Sequence, residues 1–189
     1  APARSKIVRC PYGVTLIMAP WNYPFLLTIA PLIGALAAGN CAVVKPSELA
    51  PATAGVIAGM LSGIFDPGLV AVVNGGAETG KELLEERFDY IFYTGNGTVG
   101  RYVMEKAARN LTPVLLELGG KSPVIVTRSA DLRVAARRIA FGKWLNLGQT
   151  CVAPDYVLVE ECVHYAFMQC LKEEIPAMYG ERPLDNPAY

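Results

Sequence analysis

The sequence lacks a surplus of charge of either sign: 17 basic residues balance 17 acidic ones across 189 residues. Nothing in it draws nucleic acid or an anionic membrane over long range. It has a single histidine, His164, which falls in a helical pattern where a structural role outweighs a catalytic one. The five cysteines, Cys10, Cys41, Cys151, Cys162 and Cys170, include no C-x-x-C pair. An odd count without that spacing argues against a disulfide framework and a structural zinc site. A reducing, cytoplasmic compartment and no metal are expected. Long apolar runs are also missing. The longest, Phe25 to Ala38, is interrupted by Pro31 and Gly34 and falls short of the ~20 residues of a membrane helix. The N-x-S/T triplets at Asn96 and Asn110 are read as chance matches.

What is present is a large core. Hydrophobic residues make up 52% of the chain and charged residues 18%. A chain of this length can bury roughly 70% of its unfolded surface, enough for one domain or one domain and part of another.

Short apolar runs alternate with longer helical patterns. Strands are expected at Val14–Met18, Cys41–Val44, Leu69–Val73, Tyr90–Tyr93 and Val114–Leu118. Helices are expected over Phe25–Ala38, Thr53–Leu61, Lys81–Arg87 and Val99–Arg109. Gly39-Asn40 and Pro67-Gly68 supply the breaks. Fully apolar strands alternating with helices imply crossover connections and a parallel sheet covered on both faces. Ligands of such sheets bind at the carboxyl ends of the strands. After Gly119-Gly120 the pattern restarts, with strands at Val124–Val126 and Tyr156–Val159 and helices at Asp131–Phe141 and Val163–Glu174. A domain boundary is expected near Gly120, dividing the chain into 1–120 and 121–189.

Five clusters lie in loops or follow strand ends. In Pro20-Trp-Asn-Tyr-Pro24, Asn22 sits in a stiff loop where its amide could donate to an oxyanion. Taken locally, a turn asparagine bonding its own backbone is the stronger reading. In Lys45-Pro-Ser-Glu48 the Lys and Glu could hold ribose hydroxyls. Equally, Ser47 could cap a helix with Glu48 near its dipole. Thr94-Gly-Asn-Gly-Thr-Val-Gly100 contains G-x-G-x-x-G between a strand and a helix, which suits a pyrophosphate, although a tight turn also wants glycine. In Leu116-Glu-Leu-Gly-Gly-Lys-Ser-Pro123, Glu117 ends an apolar strand. Partial burial there would raise its pKa and suit a general base, and a solvent-facing acid is the even alternative. In Gly148-Gln-Thr-Cys-Val-Ala-Pro154, Cys151 lies in a polar, glycine-flanked loop that could favour its thiolate. Taken alone, it reads as a small buried hydrophobe.

In order and spacing, the five clusters together resemble the aldehyde dehydrogenase superfamily. They are close to its class 3-like branch, which handles fatty, aromatic and other medium or long aldehydes. The resemblance covers nearly the whole chain, and the E-L-G-G-K-S-P and G-Q-T-C motifs are the most specific part. It implies that the local readings for Asn22, Glu117 and Cys151 give way to catalytic ones. Cys151 would attack the aldehyde, and Asn22 with the Cys151 N–H would stabilise the oxyanion. Glu117 would activate the water that hydrolyses the thioester. Lys45 and Glu48 would bind the adenosine ribose, Gly95 to Gly100 would face the pyrophosphate, and Thr94 and Gly95 would lie toward the nicotinamide. The cofactor implied is NAD or NADP. The fold implied is α/β: a parallel-sheet, Rossmann-like cofactor domain, incomplete at its N-terminus, followed by the start of an α/β catalytic domain. Family members run to several hundred residues, so the expectation is a fragment of a longer, homodimeric parent that takes a small-molecule aldehyde. Two alternatives stand beside hydrolytic oxidation: a CoA-acylating relative and a non-catalytic nucleotide-binding module. Intact Cys151, Glu117 and Asn22 argue against the binding module, and Glu117 at the E-L-G-G position argues against the acylating relative.

Overall fold

A computed structural model describes residues 3–185. They divide into two compact units, the first ending at Leu118 and the second beginning at Gly119.

The first unit is a doubly wound sheet. Its strands are β1 (Val14–Met18), β2 (Cys41–Lys45), β3 (Val70–Val72), β4 (Tyr90–Thr94) and β5 (Val114–Glu117). All pairings are parallel, in the order β3-β2-β1-β4-β5. Helices α1 (Leu26–Ala37), α2 (Pro51–Ile64), α3 (Ala77–Leu83) and α4 (Gly97–Ala108) connect them. Side chains alternate across the pleat, so the central strands β1, β2 and β4 feed two cores, while β3 and β5 each feed one. Ile17, Ala42, Val44 and Val70 meet Leu32 of α1 and Ile57 and Leu61 of α2. Leu16, Met18, Ile91 and Tyr93 meet Leu84 and Phe88 and, from α4, Val103 and Ala107. Burying each such Val, Leu or Ile side chain contributes about 1.5–3 kcal/mol, and that drive sets the register.

Local chemistry fixes the joints. Gly39, at φ 84°, ends α1 in the left-handed conformation that glycine tolerates. The next residue, Asn40, is buried: its side-chain NH₂ donates to the Ala35 carbonyl at 3.1 Å, and its Oδ1 accepts from the Gly13 N–H at 3.0 Å. One side chain thus ties the end of α1 to the entry of β1. Asp89, just before β4, ties into the same entry from the other side, accepting from the Val14 N–H at 2.9 Å.

The expected third helix needs correction. The sequence pattern places a helix over Lys81–Arg87, but α3 runs Ala77–Leu83. The chain turns after Leu83, with Glu85 N–H donating to Glu82 and Glu86 N–H to Leu83. That turn drives Leu84 and Phe88 into the core, and core burial outweighs the helix propensity of the charged run.

The second unit pairs β6 (Ser122–Val126) with β7 (Pro154–Val159) in parallel. Helices α5 (Leu132–Trp144) and α6 (Glu161–Tyr179) pack on them, with Val126, Ala136, Ile139 and Phe167 at the centre. Asp131 caps α5 by accepting from the Val134 N–H at 3.0 Å.

Candidate functional site

Parallel strands deliver their carboxyl ends to one edge of the sheet, and that edge of the first unit gathers most of the candidates. Lys45 is the last residue of β2, Thr94 of β4 and Glu117 of β5, while Asn22 lies in the loop that leaves β1. Strand order reverses between β1 and β4, because β1 leads to β2 and β3 on one side and the chain then crosses to β4 on the other. Crevices at such switch points are where open α/β sheets take ligands.

The Lys45 ammonium donates to the Glu48 carboxylate at 3.1 Å and to the Pro46 carbonyl at 3.3 Å. Its side chain is only 7% exposed, whereas that of Glu48 is 43% exposed. A cation is therefore held inside and its partner carboxylate is presented outward. The Glu48 carboxyl is held below its ordinary range, first by its own backbone N–H and then, against some loss of hydration, by Lys45. Ser47 does not cap a helix. Its Oγ accepts from the Leu49 N–H at 3.3 Å, and α2 begins later, with Pro51 at its start and no side-chain cap.

Beside this pair lies a cleft of about 290 Å³ lined by Pro46, Ser47, Glu48, Ala54, Gly55 and the loop Asn74-Gly75-Gly76. Sequence reasoning missed Asn74 to Gly76. The available signal was a turn-forming Asn-Gly-Gly directly after an apolar run, at a strand's carboxyl end.

The glycine segment joins β4 to α4 as expected. Asn96 caps α4, its Oδ1 accepting from the Val99 N–H at 2.9 Å. The Gly95 N–H bonds the Glu117 carbonyl at 3.0 Å. Two of the three glycines sit in close approach to a side chain, Gly95 against the buried ring of Tyr93 and Gly100 against the movable tip of Leu118. A β-carbon at Gly95 would run into the Tyr93 phenol oxygen, and one at Gly100 would lie 2.9 Å from the Leu118 side chain. Gly97 has room around it. The first turn of α4 leaves backbone N–H groups directed at this edge, a ready anion site.

Of the two even readings for Glu117, a partly buried carboxylate and a solvent-facing acid, the second holds: it is exposed. The reason is topological. β5 is the outermost strand on its side of the sheet, and Glu117 is its final residue. Asn22 is half-buried in the turn preceding α1.

Cys151 lies in the second unit, in an exposed turn before β7. The backbone leading to it is strained. Asn146, Leu147 and Gly148 are consecutively left-handed, at φ 50°, 57° and 76°. A non-glycine residue held there costs about 1–2 kcal/mol. The surroundings hold the loop in place: the Gln149 backbone and side-chain amides both donate to the Asn146 carbonyl, at 3.1 and 3.0 Å. The Ala153 N–H closes the next turn onto the Thr150 carbonyl at 3.1 Å, bracketing Cys151. Strain that is over-determined in this way is a mark of functional loops. Among the described residues all five cysteines are free thiols, no cluster of His, Cys, Asp and Glu could hold a metal ion, and no helix is long and apolar enough to cross a membrane.

These features define a doubly wound, parallel α/β protein with its polar candidates on the carboxyl edge, followed by a unit that bears a strained cysteine loop. The chain belongs to the aldehyde dehydrogenase family, whose sequence pattern matches residues 2–188. It is 55% identical over 179 residues to aldehyde dehydrogenase family 3 member A2 of Mus musculus, covering 95% of this chain and 37% of that protein. The solved structure of Staphylococcus aureus AldH in a substrate-bound state superposes with a TM-score of 0.91 at 49% identity, over 95% of this chain and 39% of that one. The Mycobacterium tuberculosis aldehyde dehydrogenase complexed with NAD+ gives a TM-score of 0.82 at 34% identity, over 88% and 35%. The chain thus spans less than two fifths of the length of these three proteins.

Proposed function

We propose that this chain is the cofactor-binding and nucleophile-bearing part of an enzyme that oxidises an aldehyde to a carboxylic acid with NAD or NADP. The observation that carries the reading is the placement of Lys45, Thr94 and Glu117 at the ends of the parallel strands β2, β4 and β5, with Asn22 in the loop after β1, which lies between β2 and β4. Residues 1–120 form the NAD(P)-binding domain and residues 121–189 begin the catalytic one.

The residues present suit a dinucleotide. Small Ala54 and Gly55 leave a shallow wall for a nucleoside, and the ionised Glu48 carboxylate at the rim can accept from ribose hydroxyls. Lys45 fixes that carboxylate from behind. A 2′-phosphate would meet the charge of Glu48, so a free 2′-hydroxyl is favoured. The N-terminus of α4, with Gly95 and Gly100 allowing close backbone approach, suits the pyrophosphate. Thr94 and Gly95 lie on the nicotinamide side. The chemistry the bound cofactor supplies is acceptance of a hydride.

The chain's own residues do the rest. The Cys151 thiolate adds to the aldehyde carbon, forming a C–S bond and an alkoxide. The Asn22 amide and the Cys151 backbone N–H donate to that oxygen. Loss of hydride from the same carbon leaves a thioester on Cys151. Glu117 takes a proton from water, which attacks the thioester and expels the thiolate with the carboxylic acid. An exposed carboxylate at a strand end is accessible to that water. Free cysteines suit the cytoplasm, and the family resemblance supports a homodimeric parent.

The test is Cys151→Ala in the full-length enzyme. NADH formation from aldehydes is expected to vanish while cofactor Kd stays within about twofold, because the cleft is lined by Pro46, Ser47, Glu48, Ala54, Gly55 and Asn74 to Gly76 and not by the thiol. A Cys151→Ala enzyme that still turned over would overturn the nucleophile assignment.

A further inference from the structure

The geometry points to Gly120 as a positioning residue for Cys151: the missing side chain at 120 lets the chain pass flush against the Cys151 peptide and hold it in place. This rests on the reading of Cys151 as the nucleophile. A β-carbon at 120 would lie 2.5 Å from the Cys151 carbonyl oxygen and 3.7 Å from its carbonyl carbon. That is roughly 1 Å short of ordinary van der Waals separation. Gly120 is outside the left-handed region, so the glycine is required for space and not for conformation.

The obstruction is main chain, which cannot swing aside as a long side chain would. Relief would have to come from the Cys151 turn itself. That turn is already bracketed by the Ala153–Thr150 hydrogen bond and preceded by the left-handed run at Asn146 to Gly148. A shift of the Cys151 carbonyl rotates the backbone that carries both the sulfur and the N–H. Misplacing reacting groups by near 1 Å costs about 10²-fold in rate. Gly119, the neighbouring residue, provides the contrast: a β-carbon there meets nothing within 4 Å.

The experiment compares Gly120→Ala, Gly119→Ala and Cys151→Ala in the full-length enzyme. Turnover, the single-turnover burst of NADH, cofactor Kd by fluorescence titration and thermal melting are measured on each. For Gly120→Ala, kcat and the burst rate are expected to fall about 10²-fold, while cofactor Kd stays within about twofold and melting remains cooperative. Gly119→Ala is expected to keep kcat within about threefold. A Gly120→Ala enzyme with normal turnover overturns the proposal. So does one that loses melting and cofactor affinity along with turnover, since the glycine would then serve packing generally. Equal damage from Gly119→Ala would likewise remove the Cys151 contact as the cause. Full activity in Cys151→Ala would instead defeat the underlying nucleophile reading, and a dead Cys151→Ala beside a normal Gly120→Ala would defeat this inference alone.

Discussion

The backbone N–H of Gly95 donates to the carbonyl of Glu117 over 3.0 Å. It extends the ladder in which Thr94 pairs with Glu117. The glycine turn and the candidate general base therefore sit on one rung of the sheet. The link is made by main chain on both sides, so the Glu117 carboxylate can be changed without breaking it.

That separation makes Glu117→Gln an informative variant. The backbone bond survives, and with it the turn that leads into α4. The expected outcome is slow turnover limited by thioester hydrolysis, with a near-stoichiometric burst of NADH in stopped-flow absorbance. A burst that disappeared together with steady-state turnover would mean that Glu117 acts before deacylation.

Asn22 is placed by the loop between β1 and α1. The loop is anchored where Thr28 Oγ donates to the Pro24 carbonyl at 2.6 Å. Asn22→Ala is expected to cut kcat by roughly 10²-fold, the usual cost of one lost oxyanion donor, with little change in cofactor Kd. Steady-state kinetics with a fixed aldehyde and varied cofactor check it.

Much of the fold was legible because the strands are continuous apolar runs between breakers. β1 is bounded by Gly13 on one side and Ala19-Pro20 on the other, and its span matches the expected one. The third helix was misplaced for an identifiable reason. Its start after Gly76 carries no side-chain cap, and its end is set by burial of Leu84 and Phe88. Neither leaves a local signal. The exposure of Glu117 follows from β5 lying at the edge of the sheet, and strand order is a tertiary fact that no single run encodes. Asn74 to Gly76 carry no distinguishing signal, because a turn and a nucleotide cleft want the same residues.

Glu48 carries a pH prediction. Its carboxyl lies below the ordinary value of 4.5, chiefly through its own backbone N–H, with Lys45 adding to the effect. A group whose folded pKa is depressed adds stability above its unfolded value and loses it as pH falls through the folded one. Ionised Glu48 should therefore persist through neutral and mildly acidic pH. Cofactor affinity should stay level from pH 8 to about 5 and weaken only below that. Glu48→Gln should weaken binding roughly tenfold and remove that acid limb. Lys45→Met should leave the limb still below the ordinary carboxylate range, because the larger cause remains. Calorimetric titration of the cofactor across pH distinguishes the three proteins.

Asn40 makes the last prediction, one of stability. It is buried, and both ends of its amide are used: Oδ1 accepts from Gly13 N–H, and the NH₂ donates to the Ala35 carbonyl. Asn40→Ala would strand a backbone donor and a backbone acceptor at once, at a cost of about 1–3 kcal/mol. The loss falls on the first unit, where the end of α1 meets the start of β1. The two tryptophans separate the units, since Trp21 lies in the first and Trp144 in the second. In a Trp144→Phe background, urea unfolding followed by Trp21 fluorescence should show a lower midpoint for Asn40→Ala. In a Trp21→Phe background, the Trp144 transition should move by less. An unchanged Trp21 midpoint would mean that water replaces both hydrogen bonds and that Asn40 ties nothing together.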